Sequence, residues 1–322
     1  MAYDLPFEKP LADLEARIAK LKRKGERLKA DERAQLQQAE QELQQLTQEI
    51  YGKLSAWQTV MVARHKDRPH AIDYLNLICD AFFELHGDRR AADNPTIVGG
   101  PANFGGRTVM FIGQEKGRGL KDQRLRHAGQ THPEGHRKAY RLMQQAEKFH
   151  FPIVYLIDTP GASIALEDEE RGQATSVAEN LYLMASLKVP TISVIIGEGG
   201  SGGALALGIA DRVLMQAYSY YTVASPESAA TIMWRDAKYA PEAAEAMQIT
   251  ARQVKTHGLI DDIIAEPAGG AHKDHQAAAL LLKEKLLVHL QALCQLSLDE
   301  LLVQRYSKLR SVGRFAEPGI AS

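Results

Sequence analysis

The chain has 322 residues, 45% of them hydrophobic, and a formal net charge of −1. That composition fits a globular protein with one large core or two modest ones. Its near-neutral balance excludes a general nucleic-acid binder, and no apolar stretch is long enough to span a bilayer.

The N-terminus, MAYDLPFEKPLADLE, is polar and acidic and unlike a secretory signal. Residues 11 to 63 read as helix. Leu11, Leu14, Ile18, Leu21 and Leu28 form a first apolar run interrupted by Gly25. Leu36, Ala39, Leu43, Leu46, Ile50, Leu54 and Trp57 form a second, with Asp31 as N-cap between them. The expectation is an antiparallel helical hairpin over residues 1–69. Residues 70 to 86 read as a further amphipathic helix through Ile72, Leu75, Ile78 and Phe82. After Asp93 the pattern changes. Strand-like runs at Thr96–Val98, Thr108–Gly113, Pro152–Ile157, Thr191–Ile196, Arg212–Met215, Tyr220–Val223 and Leu259–Ile264 alternate with helical runs, notably His136–Phe149, Gly172–Leu187 and Ala204–Ala210. Such alternation predicts an α/β domain, residues 70–310, with largely parallel strands. Residues 273 to 309 return to helix, and 311–322 read as a loose tail. The two cysteines, Cys79 and Cys294, read as buried free thiols of a reducing cytoplasm, too few for a four-cysteine zinc site.

The segment Gly197-Glu198-Gly199-Gly200-Ser201-Gly202-Gly203, between a β-branched run and a small-residue helix, carries the chemistry. Glycines allow close backbone approach, and the amides at a helix start stabilise negative charge. Gly197, Gly199 and Gly202 match a dinucleotide-binding pattern, but Asp211 comes too early for its acidic partner. Asp158-Thr159-Pro160-Gly161 has the look of a GTPase magnesium motif, yet no phosphate loop with lysine and hydroxyl accompanies it. Gly199-Gly200-Ser201-Gly202-Gly203 satisfies a serine-nucleophile pattern, for which His127, His132, His136, His150 or His257 would have to supply the base. The fourth reading is an oxyanion hole made by the Gly202 and Gly203 amides, which needs no nucleophile.

The chain resembles the α-subunit family of the bacterial acetyl-CoA carboxylase carboxyltransferase. The matching words are VGG (98–100), GQEKGR (113–118), PEG-RKA-RLM (133–143), IDTPGA (157–162), EERGQ (169–173), GEGGSGGALA (197–206), SPE (225–227), AAEAM (243–247) and EPAGGAH (266–272). The resemblance implies a Clp protease/crotonase-like fold, a β-β-α superhelix with an N-terminal helical arm and C-terminal helices. It implies an α2β2 heterotetramer, with the active site between one α and one β chain and the zinc in β, leaving no metal in this chain. It further implies transfer of a carboxyl group from carboxybiotin, held on a separate biotin carboxyl carrier protein, to acetyl-CoA, giving malonyl-CoA for fatty acid synthesis. Carboxybiotin would release CO₂, and biotin would take the methyl proton. In that reading the Gly202 and Gly203 amides hold the biotin ureido oxygen. Gly161, Ala162, Ser163, Gly199, Gly200 and Ser201 line the biotin pocket, and Lys116, Arg118, Arg137 and Lys138 contact CoA phosphates or the β subunit. The expected location is the cytoplasm, with no membrane or nucleic-acid partner.

The sequence departs from the family pattern at His127-Ala128-Gly129-Gln130, at Ser163-Ile164-Ala165 and at Ser228. If the glycine usual at 228 supplies a positive φ, Ser228 costs roughly 1 kcal/mol. The alternatives are a divergent paralogue for another acyl-CoA, a degenerate assembly subunit, and another crotonase-fold acyl-CoA enzyme. The last predicts activity in the lone chain and a free carboxylate at the loop, from Glu198 or the run Glu167 to Glu170.

Overall fold

The computed structural model describes residues 3–25 and 29–313, so Leu28 and most of the expected tail lie outside the described residues. The elements in order are α1 (Lys9–Lys22), α2 (Ala30–Gly52), α3 (Ala56–Ala63), α4 (Ala71–Ile78), β1 (Ala81–Phe82), β2 (Ile97–Phe104), β3 (Arg107–Gln114), α5 (Gly119–Leu125), α6 (Pro133–Lys148), β4 (Ile153–Thr159), α7 (Leu166–Glu170) and α8 (Gln173–Ser186). They continue with β5 (Thr191–Gly200), α9 (Ser201–Leu205), β6 (Arg212–Gln216), β7 (Tyr220–Thr222), α10 (Pro226–Trp234), α11 (Ala240–Ala246), α12 (Ala251–Thr256), β8 (Asp262–Ile264), α13 (His275–Cys294) and α14 (Leu298–Arg310).

The eight strands form one sheet in the order β1-β2-β3-β4-β5-β6-β8, with β7 paired to β5. The β1–β2 and β2–β3 ladders are antiparallel; from β3 onward every pair is parallel. The central strands are apolar on both faces, as helix-covered parallel strands must be, and period two divides them. Val154, Leu156, Ile192, Val194 and Ile196 face α4 and α13, where Leu75, Ile78, Leu282 and Leu286 meet them. Ile153, Tyr155, Ile157 and Ile195 face α6 and α8 through Leu142, Met143 and Met184. The base of the helical arm packs on the protein's own core, with Leu11, Tyr51 and Val62 buried together.

Several boundaries differ from the sequence expectation for identifiable reasons. The N-cap position of α2 is Lys29, not Asp31, and the Glu32 carboxylate accepts the Lys29 amide. Trp57 belongs to a separate helix, α3, because Ser55 caps it by accepting from the Gln58 amide. The helix expected over 70–86 ends at Ile78, and Ala81 and Phe82 pair with Asn103 and Ala102 as a strand. The thiols of Cys79 and Cys294 are half-buried rather than fully enclosed; burial still pushes the Cys79 thiol up to about 12. Ser228 lies in α10, outside the positive-φ set, and its amide donates to Ser225 Oγ, so the strain expected there is absent. No single helix among the described residues is long and apolar enough to cross a membrane.

His136 on α6 is fully buried, and neither ring nitrogen has a partner among the described residues. Burial, with the neighbouring His132 and Arg137, depresses its pKa from 6.5 to about 4. Between those values the unfolded chain binds a proton that the folded chain refuses. The stability is therefore present above pH 6.5 and falls by about 3 kcal/mol on acidification to pH 4. Urea denaturation of His136→Gln across that range should lack this portion of the wild-type slope.

Candidate active site

Two turns meet at the C-terminal ends of β4 and β5, where ligand sites of open parallel sheets lie. The first is Pro160 to Ser163; the second is Gly199 to Gly203. The second does not begin where the β-branched run ends. Glu198, Gly199 and Gly200 remain in strand β5 because they pair with Tyr220, Tyr221 and Thr222 of β7. The following helix accordingly starts at Ser201 and ends at Leu205, earlier than expected.

The contact between the turns explains particular glycines. A Cβ on Gly200 would lie 2.2 Å from the Pro160 carbonyl oxygen, and one on Gly203 would lie 2.5 Å from the Ala162 nitrogen. Gly161 takes φ +150°, and its amide donates to Thr159 Oγ1 at 3.0 Å. Gly202 differs from these: a Cβ there would meet nothing within 4 Å. Beside Ser201 and Gly202 opens a cavity of about 550 Å³, walled by apolar side chains including Leu205, Tyr221, Val223 and Leu309. No side chain caps α9, so its first amides are not closed off from that side.

A clamp that the sequence did not single out holds the turns together. Gln114 is fully buried; its Nε2 donates to the Gly203 carbonyl at 2.8 Å and its Oε1 accepts from the Asp158 amide at 3.2 Å. Gln173 donates to the carbonyls of Thr131 and Ser163 at 2.8 and 2.9 Å, fixing the far end of the first turn. Both residues stand in the words GQEKGR and EERGQ, which was their only signal.

Beneath the second turn lies an ion network. Lys116 Nζ sits 2.6 Å from both Asp158 Oδ1 and Glu198 Oε1. Arg64 reaches Glu198 at 2.7 Å and Glu227 at 2.5 Å, and the Tyr220 hydroxyl donates to Glu198. Burial works against the Glu198 charge, but Lys116 and Arg64 outweigh it and hold the carboxyl at about 2. Burial likewise opposes the charge of Lys116, and Asp158 with Glu198 still raises its pKa.

The four expected basic contacts all have partners within the chain. Lys116 is committed to that network, and fully buried Lys138 donates to the Ile97 carbonyl and pairs with Asp93. Arg137 is committed to Asp88, Glu134 and the Arg171 carbonyl. Arg118 is exposed and bonds Asp73 and the Lys66 and Arg68 carbonyls. Of the carboxylates that a hydratase-like reading needs, Glu198 is engaged as above and Asp168 pairs with His132 Nδ1 at 2.8 Å and with Arg171, while Glu167, Glu169 and Glu170 are exposed. Asp211, the misplaced acidic partner of the dinucleotide pattern, pairs with buried Arg305 at 2.7 Å. Asp158, the residue of the GTPase-like word, accepts the Glu198 amide at 2.8 Å. Ser201 sits exposed at φ +50°, and no hydrogen bond from a histidine reaches its hydroxyl among the described residues.

Two of the three departures from the family pattern come together in space, and Ser228 lies apart from them in α10. His127, Ala128, Gln130, His132, Ser163 and Ala165 line one cavity of about 520 Å³. The His127 and His132 rings lie 3.9 Å apart by centroid, and His127 and Ala128 both take positive φ.

Residues 4–313 match the model of the acetyl co-enzyme A carboxylase carboxyltransferase-like family. The chain is 49% identical to the acetyl-coenzyme A carboxylase carboxyl transferase subunit alpha of Aromatoleum aromaticum, over 98% of each chain. It is 50% identical to that of Bordetella avium, over 97% of this chain and 98% of the relative. Among solved structures, transcarboxylase 12S with methylmalonyl-coenzyme A and methylmalonic acid bound aligns with a TM-score of 0.54 at 22% identity, covering 68% of this chain and 42% of that one. A Pseudomonas malonate decarboxylase hetero-tetramer in complex with malonate aligns at 0.55 and 17% identity, covering 69% of this chain and 89% of that one. The last two likenesses are of fold, and they make the architecture crotonase-like.

Proposed function

The chain belongs to the acetyl co-enzyme A carboxylase carboxyltransferase-like family, and from that premise we propose that it is the α subunit of a biotin-dependent acetyl-CoA carboxylase carboxyltransferase. Its reaction is transfer of a carboxyl group from carboxybiotin to acetyl-CoA, giving malonyl-CoA for fatty acid synthesis. The observation that carries the reading is the identity of about half over nearly the full length of α subunits, which spans both turns of the site.

The residues present fit such a substrate. The open side of Gly202 faces the apolar cavity, which suits a fused ring on an aliphatic chain. Carboxybiotin, delivered on a separate carrier protein, would supply the carboxyl group, leaving negative charge to be stabilised at its ureido oxygen. The Gly202 and Gly203 amides would hold that oxygen, and a donor of this kind is worth on the order of 10²–10³ in rate. Gly161, Ala162, Ser163, Gly199, Gly200 and Ser201 shape the pocket around it. Gln114 and Gln173 are positioning residues that keep the two turns in register. The acetyl-CoA half would come from a β subunit, so the working unit is an α2β2 assembly in the cytoplasm, with zinc in β.

The test is to co-purify the chain with the carboxyltransferase β subunit of its organism and follow malonyl-CoA-dependent carboxyl transfer to biotin. Activity is expected only in the mixture. Activity in the lone chain without a complex would replace this reading with another crotonase-fold enzyme, and a stable complex without transfer would make the chain an assembly subunit.

A further inference from the structure

Away from both turns, α6 and α8 and the loop before β2 enclose a third cavity, of about 200 Å³, walled among others by Arg89, Arg90, Arg137, Arg141, Tyr140 and Glu179. The loop is built to present its arginines. Asp88 Oδ1 accepts the amides of Arg90, Ala91 and Ala92 at 2.8 to 3.1 Å, and Oδ2 accepts Arg137 Nε at 3.2 Å. Both Asp88 oxygens are thus engaged, and Arg137 neutralises their charge. Arg89 follows at φ +61°, a conformation an arginine adopts only when its surroundings fix it. Arg141 is held from α6 by the carbonyls of Gly87 and His86 at 3.0 and 3.3 Å. Those neutral oxygens orient it without neutralising it.

Arg89, Arg90 and Arg141 have no ion-pair partner among the described residues. Burial, and then the nearness of Arg89, lowers the Arg141 pKa against the opposing pull of Asp93 and Asp88: the fold brings guanidinium groups together, and neither carboxylate forms an ion pair with Arg141. Glu179 is the other carboxylate on the wall, and counting it with Asp88 against the four arginines leaves the lining cationic. Guanidinium groups converging from a loop and a helix match the oxygens of a phosphate, which they bind in forked pairs.

We infer that the cavity between the 88–90 loop and α6 is a binding site for a phosphate group, with Arg89 and Arg141 as its principal ligands. The inference stands on this cavity alone and does not require the carboxyl-transfer reading. Two sources offer that chemistry, a phosphate of coenzyme A and a free inorganic phosphate or pyrophosphate.

Calorimetric titration of the full chain at low ionic strength, with inorganic phosphate, pyrophosphate, coenzyme A and dephospho-coenzyme A, tests it. Saturable binding is expected for at least one probe, weakened at least about tenfold in Arg89→Ala and in Arg89→Ala/Arg141→Ala. Arg89→Lys should retain part of it, and Lys148→Ala, at the far end of α6, all of it. Arg89 has no side-chain partner to lose, so its variant keeps the test open if the double variant folds poorly. Coenzyme A bound more tightly than dephospho-coenzyme A assigns the site to the 3′-phosphate, and equal binding of the two assigns it to the diphosphate. Pyrophosphate binding without coenzyme A binding assigns it to a free anion. No saturable binding of any probe, or the same affinity in Arg89→Ala, overturns the inference. Because the readout is binding, that outcome leaves the carboxyl-transfer assay untouched.

Discussion

Gly202→Val is expected to lower kcat/KM for carboxyl transfer, assayed with the β subunit, by on the order of 10² while leaving the melting temperature of the chain unchanged. The distinction rests on where each missing Cβ would go. At Gly202 it meets nothing within 4 Å in this chain, so the side chain starts into open space rather than into the fold. It would instead stand in the space beside the amides proposed to receive the developing oxyanion. Gly203→Ala is the contrasting variant. Its Cβ would lie 2.5 Å from the Ala162 nitrogen and 2.6 Å from the Gly161 carbonyl carbon, both backbone atoms. The turns must separate, so both activity and melting temperature should fall. Equal thermal losses in the two variants, or unchanged transfer in Gly202→Val with the complex intact, would remove Gly202 from the site.

The sequence disclosed those parts of the molecule whose causes are local. Runs such as Thr191 to Ile196 and Pro152 to Ile157 identified the central strands because burial on both faces demands continuous apolar residues. The glycine cluster was legible because few residues other than glycine tolerate a neighbouring backbone at such distances. Features created by remote pairing were not legible. Strand β5 continues through Glu198 to Gly200 only because β7 lies alongside, and Ala81 and Phe82 leave the helical pattern only because β2 accepts them. Charged residues were the least legible. The pairing of Lys116 and Lys138 could not be read from their neighbours in sequence, because their acidic partners Asp158, Glu198 and Asp93 come from other elements. Gln114 and Gln173 carry no catalytic signature, and only the meeting of the two turns reveals what they hold.

Removing the Lys116 charge should be the most damaging single change to stability. Lys116→Met keeps the length of the side chain but leaves Asp158 and Glu198 facing each other in a nearly closed site, with side-chain exposures of 2% and 9%. Breaking a buried pair by deleting one partner typically costs about 3–5 kcal/mol, because an uncompensated charge remains. Arg64 would still serve Glu198 at 2.7 Å, so the lower end of that range is expected in chemical denaturation. The pH dependence supplies a second signature. In the wild type the Glu198 carboxyl is depressed from 4.5 to about 2; its contribution is complete above pH 4.5 and disappears as the pH falls toward 2. Without Lys116 the burial that opposes ionisation meets less resistance, the folded-state pKa rises, and this acid-side loss should shrink. Glu198→Gln in the Lys116→Met background removes one of the facing carboxylates and should restore part of the lost stability. Asp158 Oδ1 also receives the Glu198 amide at 2.8 Å and abuts Gly197, where a Cβ would come within 2.6 Å. The network is therefore the floor on which the Gly199 to Gly203 turn rests. If it acts as that floor, Lys116→Met will reduce transfer even where the protein remains folded, and the double variant will recover stability more fully than rate.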